Sequence, residues 1–95
     1  MTEREELQAS LIKYGVPAHI HEALIGYVLD HKPVGSFLRA VLSNNLQESF
    51  WWADDENRAH LFNIVSWGYN ETPSDCGGSP EKVDAWLAQR PAAAE

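Results

Sequence analysis

Apolar residues recur three and four positions apart in successive runs along this chain, and each run ends at residues that favour turns. Thr2 and Glu5 have capping-box spacing, Leu7, Leu11 and Ile12 follow, and Gly15 with Val16-Pro17 stops the run. This predicts a first helix over about 3–14. Pro17 can open a second helix, with Ile20, Leu24, Tyr27 and Val28 on one stripe and Ile25 and Leu29 widening it. That helix ends near His31, because Lys32 precedes Pro33 and is pushed out of helical geometry. Ser36 is placed to cap a third helix carrying Phe37, Leu38, Val41 and Leu42. "SNN" at 43–45 breaks it, and Asn45 with Glu48 repeats the cap spacing ahead of Leu46.

From Leu46 to Tyr69 the pattern reads as one long helix; the alternative is a short helix ending at Ala53 and a second capped by Asp54. As one helix, Leu46, Phe50, Asn57, Leu61, Ile64 and Gly68 share a face. Trp51, Arg58, Phe62 and Tyr69 make a second stripe beside it, and Trp52 belongs to neither. In "SFWWADDEN" (49–57), Phe50, Trp51 and Trp52 fan over roughly 200°, more than a helix lying on one core buries. The expectation is packing on two sides, part of it supplied by another copy of the chain, with Trp52 either resting on a neighbouring helix or meeting a partner.

"NETPSDCGGS" (70–79) is a run of turn formers. Ser79-Pro80 then opens a last helix with Val83, Trp86 and Leu87 on its apolar face, ended by Pro91. No segment alternates with period two for long enough to make a convincing strand. The expected fold is all-α, a compact bundle of about five helices in one domain (1–90), with one long central helix (about 46–69) and a frayed tail at 91–95.

Composition narrows the function. Ninety-five residues are too few for two cores. Fourteen acids against seven bases give a formal charge of −7, and the bases are scattered singly, which argues against duplex nucleic acid. No apolar run approaches the ~20 residues of a membrane span. The acidic start "MTEREELQ" and a single cysteine suit a reducing, cytoplasmic setting.

Candidate chemistry is sparse. Cys76 lies just before a helix N-terminus, where the dipole can depress a thiol pKa, but with no histidine nearby in sequence it reads as a structural or incidental thiol. His19 and His21 are two apart, the wrong helical spacing for a shared metal, and read as surface imidazoles. Asp54, Asp55 and Glu56 have the composition of an acid–base group, but a solvated helix start accounts for them. Asn44, Asn57 and Asn70 suit helix ends. Arg58 sits in the aromatic stripe, as a stem packed on rings or as a phosphate contact. The "CGGS" loop before Ser79 has amides placed to receive an anion, or is a plain turn.

"GSFLRAVLSNNL" (35–46), "ADDENRAHLFNIVSWGYNETPSDCGGSPEKVDAWLA" (53–88) and "HEALIGYVLDHKPV" resemble a family of small, largely uncharacterised tailed-bacteriophage proteins, over about residues 17–87. The resemblance implies a shared polar set of Asn44, Asp54, Asn57, Tyr69, Asn70, Cys76 and Ser79. Relatives carry "NDL" around Asn45, "CWGS" where this chain has Cys76 to Ser79, and small or basic residues at Trp51 and Trp52. It further implies a phage accessory protein in the host cytoplasm. The expected function is therefore non-enzymatic binding without a cofactor, with a host protein gripped by an inhibitor or adaptor. The alternatives are a homo-oligomer sequestering a cyclic nucleotide signal of antiviral defence, and an enzyme using Cys76 or the carboxylates. Candidate binding residues are Asn44, Trp51, Trp52, Asn57, Arg58, Tyr69, Asn70 and Ser79.

Overall fold

Thr2 accepts the Glu5 amide while the Glu5 carboxylate takes the Thr2 amide, and this reciprocal cap starts α1, Glu3–Lys13, in the computed structural model, which describes residues 2–89. Gly15, in the left-handed region at φ +74°, turns the chain out of α1. A single 3₁₀ turn, Ala18–Ile20, follows Pro17 and leads into α2, His21–Asp30, so the proline precedes the helix by a turn. His31 closes α2 in the left-handed region. Gly35 takes the N-cap position of α3, Ser36–Leu42, with Ser36 one residue inside.

The 46–69 segment is not one helix. It is divided into α4, Leu46–Trp52, α5, Asp55–Ala59, and α6, Leu61–Glu71. Asn45 caps α4 by accepting the Glu48 amide, as its spacing predicts. Ala53 then turns extended, and Asp54 caps α5 by accepting the Asn57 amide at 2.7 Å. His60 leaves helical geometry between α5 and α6. The side chain of Arg58 donates to the carbonyls of Ala53 at 3.1 Å and Phe50 at 3.4 Å, supplying partners for the end of α4. The break at Asp54 was the alternative reading of this stretch. The one at His60 adds a further helix.

These turns change which residues reach the core. Leu61, Ile64 and Trp67 face inward from α6, while Leu46 and Phe50, expected on the same face, are exposed. Trp67, which fell on neither stripe of a straight helix, is fully buried, its indole N–H on Ser10 Oγ at 2.8 Å.

α6 runs two residues beyond Tyr69, to Glu71, and a 3₁₀ turn, Ser74–Cys76, follows. The chain then passes close to α3. Gly78 N–H donates to the Leu42 carbonyl at 2.7 Å, and a Cβ on Gly77 would stand 2.9 Å from that oxygen. "CGGS" is thus held against α3 rather than loose. Ser79 caps α7, Pro80–Leu87, with Pro80 in its first turn. Among the described residues, seven α-helices, where about five were expected, and no strand enclose one core containing Leu11, Leu24, Tyr27, Leu38, Ile64 and Val83. The predicted tail at 91–95 and its stop at Pro91 lie outside the described residues. No described helix is long and apolar enough to cross a membrane.

Candidate binding surface

α4 lies against α3 through Ser49 and carries its large residues outward. Leu46, Phe50, Trp51 and Trp52 are all exposed, Trp51 at 78%. On α6 the inward set Leu61, Ile64 and Trp67 leaves Phe62, Val65 and Tyr69 outside, Phe62 at 82% and Tyr69 at 87%. Of eight large apolar residues exposed among those described, seven fall between Leu46 and Tyr69 and the eighth is Ile12. The extra aromatic surface in "SFWWADDEN" therefore goes to solvent in this chain. A concentration of that kind marks interaction surfaces more often than scattered single residues do.

The candidate residues divide among three places. Asn44, left-handed at φ +62° after α3, and Tyr69 line a groove of about 530 Å³ walled by Val41, Leu42, Val65, Gly68 and the 72–78 turn. Trp51 and Trp52 lie on α4, and Trp52 walls a smaller pocket of about 220 Å³ with Ser43, Arg39, Asn45 and Glu48. The rest hold the chain in shape. Asn57 is buried, Ser79 caps α7, and Asn70 Nδ2 donates to the Ser66 carbonyl at 2.9 Å. Arg58 donates to Asp55 as well as to the two α4 carbonyls, so its guanidinium braces the α4–α5 corner.

Two buried polar atoms have no hydrogen-bond partner among the described residues, Ser43 Oγ and Asn57 Oδ1. Nothing in the local sequence marks Ser43, whose burial comes from α4 folding back onto α3.

Cys76 is buried, and burial pushes its thiol pKa up, the opposite of what a helix dipole alone would do. Its carbonyl accepts the Tyr27 hydroxyl, whose own pKa burial raises to about 12. Asp54 is held below the usual carboxylate range, first by the Asn57 amide and further by His19. His19 lies 3.1 Å from Asp54 and 3.3 Å from Glu56, joining the chain after α1 to the start of α5. His21 is not a surface imidazole. It is buried, with Nε2 donating to the Val16 carbonyl at 2.7 Å and Nδ1 facing the Gln8 amide.

No protein-family model matches this chain, and no curated protein or solved structure matches it, so its own geometry carries the functional argument.

Proposed function

We propose that this protein acts by binding, as a phage accessory protein that grips a host protein in the host cytoplasm as an inhibitor or adaptor. The observation that carries the reading is the exposure of seven large apolar side chains from one stretch of 24 positions, 46–69, in a chain with a closed core elsewhere. Aromatic residues of this kind dominate binding energy when a partner dries them. A binding role also suits the state of the nucleophile candidate, since the Cys76 thiol is buried and its pKa raised. The test is affinity capture from infected host cells with the wild type and with a Trp51→Ala/Trp52→Ala variant of unchanged helicity. A host protein retained by the first and lost by the second supports the reading. Identical capture profiles overturn it.

Self-association belongs to the same proposal. α6 carries one charged residue, Glu71, and presents Phe62, Val65 and Tyr69 at i, i+3 and i+7. Two copies can meet there with few charges opposed, most simply as a two-fold dimer. Sedimentation at micromolar concentration tests this. Dissociation of a Phe62→Ala/Tyr69→Ala variant with helicity kept supports it, and a 10.7 kDa species unaffected by the variant overturns it.

The groove bounded by Asn44 and Tyr69 favours one further reading. Its volume of about 530 Å³ is in the range that holds small ligands. Its exposed ring and asparagine amide suit a nucleotide, the ligand of a homo-oligomer that sequesters a cyclic nucleotide signal. Native mass spectrometry of protein from expressing cells tests for a retained nucleotide, and Tyr69→Ala should release it.

A further inference from the structure

We propose that α4 docks a basic segment of a partner protein, seating one lysine or arginine side chain in the pocket between α3 and α4. The inference rests on the binding reading above and specifies the chemistry of the partner.

Charge complementarity selects this occupant. Between Leu46 and Asn57 the chain carries four acids and no lysine or arginine; Asp54 and Glu56 lie against His19 and Asp55 against Arg58, which leaves Glu48 without an ion pair among the described residues. The next base, Arg58, is held by Asp55 and the Phe50 and Ala53 carbonyls. The exposed aromatic helix is thus edged with negative charge, in a chain whose net charge is −7. A second copy meeting α4 about a two-fold axis would set these acids against their like, which opposes association. The neutral outer face of α6 carries no such penalty, so the two exposed faces suit different occupants.

The pocket supplies a seat for the cation. The pocket is lined by Ser43, Asn45, Glu48 and Trp52 among others, and its polar edge is open to solvent at Glu48. Glu48 makes no ion pair among the described residues, while the half-exposed indole of Trp52 forms a wall. Arg39 shares the lining, but its guanidinium is held by Asp84 at 2.7 Å. A lysine or arginine stem lying on the Trp52 ring places its head group to pair with Glu48. Apolar neighbours on the same partner segment then cover Trp51 and Phe50. A volume of about 220 Å³ suits a single side chain better than a free nucleotide.

The experiment titrates the intact protein with two synthetic amphipathic helical peptides, one of leucine and lysine and one of leucine and glutamate, observing the indole N–H resonances of the four tryptophans. The Trp67 and Trp86 indoles are bonded internally, to Ser10 and to the Tyr27 carbonyl, and serve as references. The lysine peptide is expected to shift Trp51 and Trp52 alone, with affinity falling as salt is raised. Glu48→Gln should weaken it by about threefold or more, and Trp52→Ala by about tenfold. Equal binding of the glutamate peptide overturns the basic partner while leaving α4 a binding face. Self-association abolished by Trp51→Ala makes a second copy the occupant and overturns it likewise. No shift at Trp51 or Trp52 with either peptide, in a protein that does not self-associate through α4, overturns this inference and the role given to α4 together.

Discussion

Arg58 donates its guanidinium to the Ala53 carbonyl at 3.1 Å, so one side chain from α5 closes the open end of α4. Its other bonds, to the Phe50 carbonyl and Asp55, span the same corner. That corner sets the direction in which Trp51 and Trp52 point. Replacing Arg58 by Met keeps the aliphatic stem and removes the donors. We expect a loss of about 1 kcal/mol, since the site is half exposed. Amide hydrogen exchange should quicken over Leu46–Trp52 while α1 and α2 are unchanged. Uniform acceleration throughout the chain would contradict this local role.

The tryptophans should behave in two classes. Trp67→Ala empties a site deep in the core and removes the indole N–H that Ser10 Oγ accepts, for a loss of about 3–5 kcal/mol. Trp51→Ala touches a side chain 78% exposed and should change stability by less than about 0.5 kcal/mol in the unbound monomer. Urea denaturation of both variants decides it. Equal losses would place Trp51 in a buried interface.

Asp54 gives the α5 cap an acid dependence. Its carboxyl pKa is lower in the folded chain than the ordinary 3.8, so the unfolded state takes up the proton first as pH falls. The stabilisation is therefore present above 3.8 and is lost as pH drops below it, through the depressed folded value. Asp54→Asn retains a capping oxygen and removes the titration. Its thermal midpoint should fall less steeply than that of the wild type below about pH 4. Parallel acid limbs would rule out this contribution.

Cys76 should be a slow thiol. Burial both blocks access and raises the pKa, so the thiolate is scarce near neutrality. A disulfide reagent at neutral pH should label it only on unfolding, at a rate that follows denaturant concentration. Rapid labelling of the folded chain would restore Cys76 as a candidate nucleophile.

Gly77 lies close enough to α3 that an added methyl would meet the Leu42 carbonyl at 2.9 Å. Gly77→Ala should destabilise by roughly 1–3 kcal/mol through that overlap. Its φ of −166° is open to any residue, so Gly77→Ser should lose at least as much. A neutral Gly77→Ala variant would show that the 72–78 turn can move off α3.

Much of the local structure was legible in the sequence because its causes are local. The Thr2–Glu5 box, the stop at Gly15, the Asn45 cap and the Ser79-Pro80 start each need only residues within a turn of one another. The all-helical class followed from spacing alone, whereas Trp51, Arg58, Phe62 and Tyr69, grouped as one stripe expected to be covered, lie exposed on three separate helices. Periodicity could not locate the inward face of 46–69. The Asp54 cap and the uncapped turn at His60 replaced a continuous helix, with Ala53 and Trp67 placed in the core. Burial of His21 under Gln8, of Ser43 beneath α4, and of Cys76 beside Tyr27 joins residues far apart in the chain or depends on how whole helices stack. The sequence by itself determined the helical class, the capped starts of α1, α4 and α7 and how much aromatic surface the helices carry, because those depend on neighbours within a turn. Only the tertiary structure decided which of those aromatics are covered, because burial is settled by the elements that arrive from elsewhere in the chain.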